Sequence, residues 1–532
     1  MARADRVTSA PTATGTAYRR AGDAPGRAGE PFAAVAETHS AVLFFAGDRA
    51  YKLKKPVALG FLDFTSQRAR MAACRRETEL NRRFAPDVYL GVAEIRGPDG
   101  RVCDHLVVMR RMPAGRRLST LVLARAPVDG ALRQVARVLA AWHAAAPRSA
   151  QISEQGSQEA LRARWQANIE QARECCGDLL ADAGLAEIER LAGRFTAGRA
   201  RLFDERIRAG RVLDGHGDLL ADDIFCLDDG VRILDCLEFD DRLRWLDGLD
   251  DASFLAMDLE RLGAPDLASR FTSWYAQYSG DPAPASLRHH YVAYRAFVRA
   301  KVACLRARQG DGSAAAEAWQ LAGIALGHLR AGAVTLVLVG GLPGTGKTTL
   351  AAALADHLGF TVLSSDRIRK ELAGVPAEQR CAAPWRAGIY TAARTERVYS
   401  ELLSRAGRLL ALGESVIVDA SFVSPAQRAA AAAAAAAAQA DLVQLRCTAP
   451  AEAAAQRLAA RTGGISDADE EIARQMAALD APWPEAVTID TGQPAAVSGG
   501  LPGAVVKQAI EMIRPHGPEH VWRPARPVLL PG

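Results

Sequence analysis

The segment from Gly341 to Thr348 matches the pattern G-x-x-x-x-G-K-[ST] and lies between an apolar run and a helical pattern. Glycines allow backbone N–H groups to converge on phosphate oxygens, and the start of the following helix adds a partial positive charge. Lys347 would reach the terminal phosphates of a nucleoside triphosphate, and the hydroxyl of Thr348 would bind Mg²⁺. The loop therefore predicts a nucleotide site with the candidate residues Gly341, Gly344, Gly346, Lys347, Thr348 and Thr349.

Two carboxylates follow later strand-like runs of the same region. Asp366 comes soon after the run from Thr361 to Leu363, and Asp419 ends the run that begins at Val416. Because the carboxyl ends of parallel strands meet at one edge of a sheet, both carboxylates would face the ligand crevice. We predict that Asp419 binds the metal and that Asp366 is a catalytic residue that orients or deprotonates an acceptor hydroxyl. The alternative for Asp366 is that it only caps the following helix.

An arginine pair follows in the same region. Arg457 and Arg461 lie one helical turn apart, and glycines at positions 463 and 464 come directly after them. Residues four apart share one face of a helix, and glycines provide a hinge. The pattern predicts a lid whose arginines close over the phosphates, with an ordinary solvated helix face as the alternative.

Together these features resemble the small P-loop kinases of the gluconate kinase, shikimate kinase and zeta-toxin type. The resemblance covers the region from the P-loop to about residue 500. It implies ATP-dependent transfer of a phosphoryl group to a hydroxyl.

A second acidic stretch runs from His216 to Asp223 and is followed, after a short apolar run, by Asp235. Phosphoryl transfer needs a carboxylate that orients the acceptor and other groups that bind the metal. The spacing matches the kinase-type loop H-x-D-x-x-x-x-N, except that Asp223 stands at the Asn position. Since carboxylates also bind Mg²⁺, we predict Asp218 as catalytic and Asp223 and Asp235 as metal ligands. An acidic surface loop is the alternative.

Upstream of this stretch the chain concentrates its lysines. Only seven of its 66 basic residues are lysine, and three of them lie between positions 52 and 55. Lys52 and Lys54 share one face of a predicted strand, so either could pair with nucleotide phosphates; we favour Lys52. Glu77 is the candidate for the helix glutamate that orients this lysine. No G-x-G-x-x-G motif precedes the lysine.

These residues resemble the aminoglycoside phosphotransferase family. The whole chain, from about residue 31 to residue 500, resembles bacterial proteins that fuse such a domain to a gluconate kinase-like P-loop domain. The resemblance implies ATP and Mg²⁺ as cofactors and a hydroxyl acceptor, and it does not imply antibiotic resistance.

The elements that must position these residues fall into distinct regions. Short strands and one helix up to about Met109 predict a β-rich lobe, and helical periodicity beyond Leu132 predicts an α-rich lobe. Alternating strands and helices from Val334 predict a mostly parallel sheet. We therefore predict a mixed α/β and α+β protein: a flexible tail (1–30), a two-lobed protein-kinase-like domain (31–327), a three-layer P-loop domain (328–500) and a second tail (501–532). The alanine run 429–438 predicts a plain structural helix.

Composition limits the partners and the compartment. The formal charge of +5, from 66 basic and 61 acidic residues among 532, gives no strong sign of nucleic acid or of an anionic membrane. No run is long and apolar enough to span a bilayer, and scattered cysteines favour a reducing cytoplasm. The expected partner is a small molecule with a hydroxyl group, and the sequence does not define the oligomeric state.

The leading hypothesis is an ATP- and Mg²⁺-dependent small-molecule kinase with two nucleotide sites. One alternative is a nucleotide-dependent switch in which one domain binds ATP without transferring it, which the residue at 223 and the missing glycine-rich loop favour. Another alternative is a polynucleotide 5′-hydroxyl kinase. The sequence argues against it, because it lacks the basic patches interleaved with aromatic residues that such an enzyme needs to bind its substrate.

Overall fold

A computed structural model of the chain describes residues 19–20, 32–38, 40–58, 63–176, 180, 182–377, 379, 381, 386–460, 469–492 and 501–514. Arg461, the second arginine of the predicted lid, lies outside these residues, as do most of the predicted tails. Within the described residues, no helix has both the length and the apolar character that a membrane-spanning segment requires.

The first lobe is an antiparallel sheet with one helix packed against it. The helix, α1 (Gln67–Asn81), begins at Ser66, whose side chain accepts a hydrogen bond from the amide of Ala69. Leu43, Cys74 and Val107 are buried between helix and sheet. The strand order is β1-β2-β3-β4-β6-β5, with the strands β1 (Arg19–Arg20), β2 (Ala33–Glu37), β3 (Ala41–Ala46), β4 (Arg49–Lys54), β5 (Tyr89–Arg96) and β6 (Val102–Arg110).

The short strand β1 corrects one prediction. It lies within the predicted flexible tail 1–30, yet it pairs in antiparallel register with β2, where Arg19 faces Glu37. The edge of β2 offers backbone groups that need hydrogen-bond partners, and composition alone does not reveal that pairing.

The second lobe is mainly helical, as predicted. Leu132, Val135 and Leu139 recur at helical spacing on α3 and are fully buried in the core. The helices are α2 (Leu118–Leu123), α3 (Asp129–Ala145), α4 (Ala150–Glu154), α5 (Gln158–Cys176), α6 (Asp182–Ala197), α7 (Ala200–Arg208), α8 (Gly248–Arg261), α9 (Pro265–Ser279), α10 (Ala285–Arg308) and α11 (Ala314–Ala331). Two short antiparallel pairs interrupt them: β7 (Val212–Asp214) with β10 (Trp245–Asp247), and β8 (Ile224–Leu227) with β9 (Gly230–Ile233).

The remaining residues form a parallel sheet between helices. The strand order is β12-β13-β11-β14-β15, and every pair in it is parallel, which confirms the predicted fold class. The strands are β11 (Thr335–Gly340), β12 (Thr361–Ser364), β13 (Val416–Asp419), β14 (Asp441–Thr448) and β15 (Val487–Asp490). The helices are α12 (Lys347–Leu358), α13 (Ser365–Leu372), α14 (Ala392–Ala411), α15 (Pro425–Ala437), α16 (Ala451–Ala459), α17 (Glu470–Ala477) and α18 (Gly503–Ile513).

The helix α18 corrects the predicted tail 501–532. Val505, Val506, Ala509 and Ile513 are buried in the same apolar cluster as the sheet residue Ile489. Their spacing forms one apolar helix face, which the prolines and glycines around it obscured. The alanine run, by contrast, lies in a helix as predicted, within α15.

The two domains meet through a continuous apolar core. Leu202 on α7 and Leu402 and Leu410 on α14 belong to one buried cluster. Arg199, which is 1% exposed, donates from Nη1 to the carbonyl of Ala438 at 2.6 Å across this interface. The predicted boundary at 328 falls inside α11, so the helix passes it and the second domain's first strand starts at Thr335.

Candidate active sites

In the first domain, two lysines of β4 share one glutamate of α1. Lys52 Nζ lies 2.8 Å from Glu77 Oε1, and Lys54 Nζ lies 2.6 Å from Glu77 Oε2. Lys52 Nζ also donates to Oδ1 of Asp235 at 2.7 Å, whereas Lys54 pairs with Glu238. Lys52 therefore contacts both its predicted partner Glu77 and the predicted metal ligand Asp235, although the three residues are far apart in sequence.

In this cluster, each buried charge lies close to a charge of opposite sign that compensates it. Burial opposes the charge on Lys52, but Asp235 and Glu77 raise its pKa well above the ordinary value. Burial also opposes the charge on Glu77, yet Lys52 and Lys54 together lower its pKa. Lys52, Lys54 and Glu77 are thus charged together, and each depends on its neighbours to compensate the cost of burial.

The acidic loop is held by a residue that the sequence analysis missed. Asp251, on α8, accepts hydrogen bonds from the backbone amides of His216 at 2.7 Å and Gly217 at 2.9 Å. Nε2 of His143 lies 3.0 Å from Asp251 Oδ2. Burial opposes the charge of Asp251, but the His143 hydrogen bond and the two histidines lower its pKa. The only signal in the sequence is that Asp251 ends an acid-rich segment that begins at Val212.

The catalytic candidate Asp218 lies in this acidic loop, directly after Gly217. Its Oδ1 atom is buried and has no hydrogen-bond partner among the described residues. Burial raises the pKa of Asp218 to about 6. Burial, together with the charges of Asp235 and Asp218, raises the pKa of Asp223 well above its usual value. A bound cation would offset this repulsion between the carboxylates.

Asp235 has an unusual backbone conformation. Its φ is +62°, which lies in the left-handed region that most L residues avoid. Its amide donates to the hydroxyl of Tyr89 at 3.2 Å. This turn after β9 aims the carboxylate at Lys52, and strain of this kind is typical of functional positions.

The second site is built on the P-loop between β11 and α12. Gly341, Gly344 and Gly346 have φ values of +134°, +80° and +81°. A Cβ at Gly341 would lie 2.4 Å from the carbonyl oxygen of Cys447, and one at Gly344 would lie 2.6 Å from that of Ala454. Positions 341 and 344 therefore require glycine for both backbone and steric reasons, and position 346 favours it for its backbone conformation.

The metal-binding candidates of this loop are in contact. The hydroxyl of Thr348 donates to Asp419 Oδ2 at 2.8 Å, and Lys347 Nζ donates to the carbonyl of Leu342 at 2.9 Å. Burial raises the pKa of Asp419, although Lys347 and Thr348 partly oppose that effect. Two oxygen ligands of this kind fit Mg²⁺, which takes one or two protein groups plus phosphate oxygens and water.

No three His, Cys, Asp or Glu side chains of the described residues come together as a metal-binding group. A metal in either domain would thus need ligands beyond the protein carboxylates. Nucleotide phosphates supply such ligands in kinases. The donor sets are compatible with Mg²⁺ bound together with a nucleotide.

A cavity of about 520 Å³ adjoins the P-loop. Asp366, the predicted catalytic residue, lines this cavity together with Lys347 and Thr348. Arg369 also lines it and donates from Nη1 to the hydroxyl of Thr395 at 3.1 Å, with its guanidinium 4.9 Å from the centre of the Tyr390 ring. Further lining residues that the sequence did not single out are Glu396, Tyr399, Ser421, Gln427, Ile472 and Met476.

Arg457 lies against the base of the P-loop. It donates from Nη2 to the carbonyl of Thr491 at 2.7 Å and from Nη1 to that of Gly344 at 3.4 Å. The residue is therefore close to the phosphate-binding loop, at the end of α16. Its predicted lid partner Arg461 is not among the described residues.

Comparisons with known proteins identify relatives of this chain. A family model described as AAA domain matches residues 336–482. The chain is 45% identical over 481 residues to Uncharacterized protein Rv2004c of Mycobacterium tuberculosis, which covers 90% of this chain and 97% of that relative. It belongs to that protein's family. Uncharacterized protein Mb2027c of Mycobacterium bovis matches over the same lengths with the same identity.

Among solved structures, a choline/ethanolamine kinase family protein from Mesorhizobium loti is 15% identical and covers 57% of this chain and 92% of its own, with a TM-score of 0.36. A gluconokinase from Sinorhizobium meliloti is 20% identical and covers 34% of this chain and 95% of its own, with a TM-score of 0.23. The AAA-domain match, the parallel sheet and the P-loop confirm the predicted second domain of this Rv2004c family member.

Proposed function

We propose that the protein is an ATP- and Mg²⁺-dependent phosphotransferase with two nucleotide sites, one in each domain, that phosphorylates hydroxyl groups of small molecules. The observation that carries the proposal is the P-loop arrangement. Lys347 and the Thr348–Asp419 pair adjoin a cavity that Asp366 also lines. A phosphate cradle, a metal-binding pair and an acceptor-facing carboxylate are what phosphoryl transfer to a hydroxyl requires.

In the P-loop site, the glycine backbone and Lys347 bind phosphate oxygens of ATP. Thr348 and Asp419 hold Mg²⁺, which neutralises charge on the phosphates when it is bound. Asp366 accepts a hydrogen bond from the acceptor hydroxyl and orients its oxygen toward the phosphoryl group. Arg457, which already contacts Gly344, keeps the loop in its phosphate-binding shape. Catalysis then rests on positioning and charge neutralisation.

In the first domain, Lys52 binds phosphates and Glu77 orients it. Asp223 and Asp235 hold the metal, and Asp218 accepts the hydrogen bond of the acceptor hydroxyl. The unsatisfied Oδ1 of Asp218 supports this role, because a buried carboxylate oxygen without a partner is costly unless a ligand supplies one.

The two sites operate separately in this proposal. The first domain contacts the amino ends of the parallel strands: Ser286 Oγ donates to the carbonyl of Gly413 at 2.6 Å, before β13, and Arg194 lies 2.8 Å from Asp441 at the start of β14. The P-loop lies at the carboxyl end of β11. The first domain therefore contacts the sheet at the end opposite the P-loop, which supports two separate reactions.

Labelled ATP and a metabolite extract test the proposal on the full chain. Wild type should yield phosphorylated products, Lys347→Ala should lose those of the P-loop site, and Asp218→Asn should lose those of the first site. Lys507→Ala, at an exposed lysine of α18, is the matched control and should behave as wild type. Nucleotide binding with no phosphorylated product in any sample would refute the kinase proposal and favour a switch, and labelled oligonucleotides would favour a polynucleotide kinase.

We also propose a cytoplasmic location. All nine cysteines are free thiols in the structure, and seven of them are buried. Unpaired cysteines are typical of reducing compartments.

A further inference from the structure

Lys52 and Lys54 lie on the same face of β4. One lysine would be enough to bind the phosphates of a nucleotide. Lys52 is 8% exposed and Lys54 is 2% exposed. Each takes a different oxygen of the Glu77 carboxylate. Each also reaches one acidic residue of the segment after β9, which belongs to the second lobe: Lys52 reaches Asp235 and Lys54 reaches Glu238.

The environment of Lys54 differs from that of Lys52. Its ammonium lies 5.5 Å from the centre of the Phe64 ring and is almost entirely shielded from solvent. A buried ammonium is retained only when carboxylates compensate it. Glu238 and Glu77 do so, and they raise the pKa of Lys54 against the opposing effect of burial.

The two ion pairs between the lobes have different access to a ligand. Asp235 is a candidate metal ligand, so its contact with Lys52 occupies the place where phosphates and metal would bind. The Lys54–Glu238 pair is more buried than the Lys52–Asp235 pair, and Glu238 lies three residues beyond Asp235 in the chain. A nucleotide can therefore separate Lys52 from Asp235 while Lys54 and Glu238 stay together.

We propose that Lys54 and Glu238 are positioning residues for the nucleotide site of the first domain. Lys54 holds Oε2 of Glu77, so that Oε1 is turned toward Lys52, and Glu238 fixes the segment that carries Asp235. The inference rests on the proposed function, in which Lys52 binds ATP phosphates. It assigns Lys52 to the nucleotide and Lys54 to the support behind it.

Binding of trinitrophenyl-ATP with Mg²⁺, measured on the full chain, tests this inference. All variants carry Lys347→Ala, which removes the contribution of the P-loop lysine. Lys52→Met and Lys54→Met should each lower the affinity by about tenfold or more, since each removes one partner from a buried charge cluster. The affinity of the double variant, with both Lys52→Met and Lys54→Met, should be no more than about threefold below that of the single variant that binds less tightly. The reason is that a positioning residue acts through the residue it positions.

Glu238→Gln, which keeps the shape of the side chain and leaves Lys54 paired with Glu77, should lower the affinity by about threefold to tenfold. It also provides the test if Lys54→Met fails to fold. Lys55→Met is the matched control, since Lys55 pairs with the exposed Glu37 and should leave the affinity unchanged.

Three results would overturn the inference. If Lys52→Met lowers the affinity by the same factor with and without Lys54, Lys54 has only a structural role. If neither Lys54→Met nor Glu238→Gln weakens binding, the pair has no role at the site. If the parent protein does not bind the nucleotide, or Lys52→Met has no effect on binding, the proposed function of the first domain fails together with the inference.

Discussion

The hydroxyl of Thr348, at the start of α12, donates a hydrogen bond to Asp419 Oδ2 at the end of β13. The two residues are 71 positions apart in sequence. Register brings them together, because β11 and β13 are parallel neighbours in which Val339 pairs with Asp419. The contact joins the end of the P-loop to the candidate metal carboxylate.

Removing this hydroxyl should reduce the metal dependence of nucleotide binding. Thr348→Val keeps the side-chain shape but removes the metal ligand, and we expect about a tenfold loss of Mg²⁺-dependent ATP affinity, comparable to losing one charge-assisted contact. Isothermal titration of ATP with and without Mg²⁺, in an Asp218→Asn and Lys52→Met background, isolates the P-loop site. The control is Thr361→Val, at an exposed position of β12, and an equal loss there would contradict the assignment.

A substitution at Gly344 tests whether nucleotide binding needs the observed conformation of the P-loop. In Gly344→Ala the new methyl group would lie 2.6 Å from the carbonyl oxygen of Ala454, so the loop must move and nucleotide affinity should fall by about tenfold or more. Gly359→Ala is the matched control: its φ is also positive, at +69°, but no atom lies within 4 Å of its added Cβ. That control should lower the unfolding free energy by about 1 kcal/mol and leave affinity unchanged, as fluorescence titration and denaturant unfolding would show.

The pKa of Asp218, which burial raises to about 6, predicts the pH dependence of the first site. The ionised carboxylate is the acceptor of the hydroxyl hydrogen bond. Product formation by that site should therefore fall about tenfold per pH unit below pH 6. The measurement is kcat/KM against pH in the Lys347→Ala protein, which monitors the first site alone.

Protonation of Asp218 does not itself unfold the protein. The folded-state pKa lies above the unfolded one, so the folded state binds the proton more tightly and gains relative stability as the pH falls from 6 toward 4. Loss of activity in that range with the thermal midpoint retained would agree with the assignment. A flat profile across pH 6 would contradict it.

The domain interface can be tested at Arg199. Arg199→Ala would leave the buried carbonyl of Ala438 without the donor that now lies 2.6 Å away, so we expect a loss of about 2 kcal/mol in the unfolding free energy. Arg201→Ala, at a half-exposed neighbour on α7, should cost less than about 0.5 kcal/mol. Chemical denaturation measures both. Equal effects would show that the buried arginine does not stabilise the interface.

Much of the fold was predictable because local patterns and long-range packing agree. The strand runs from Val334 to Ile489 became the parallel sheet, and the period of α3 defined its buried face. The prediction was wrong where packing overrode composition. The residues of α18 look like a tail by their prolines and glycines, but their apolar face covers the sheet.

The residues of the candidate sites also fall into those that the sequence predicts and those that only the structure reveals. Residues within one short motif, such as Lys347 and Thr348, were predictable because the motif itself fixes their geometry. Asp251 and Glu238 were missed, since each contacts a partner more than 30 positions away in sequence. Only contact between distant segments identifies such residues.

The sequence by itself determined the chemistry available: the phosphate loop, the acidic loop, the scarce lysines and the strands that carry them. Tertiary structure decided which of these groups meet. It placed Glu77 between two lysines and joined Thr348 to Asp419. The reason is physical: side-chain chemistry is local to a residue, whereas distance, burial and charge compensation depend on how remote segments pack.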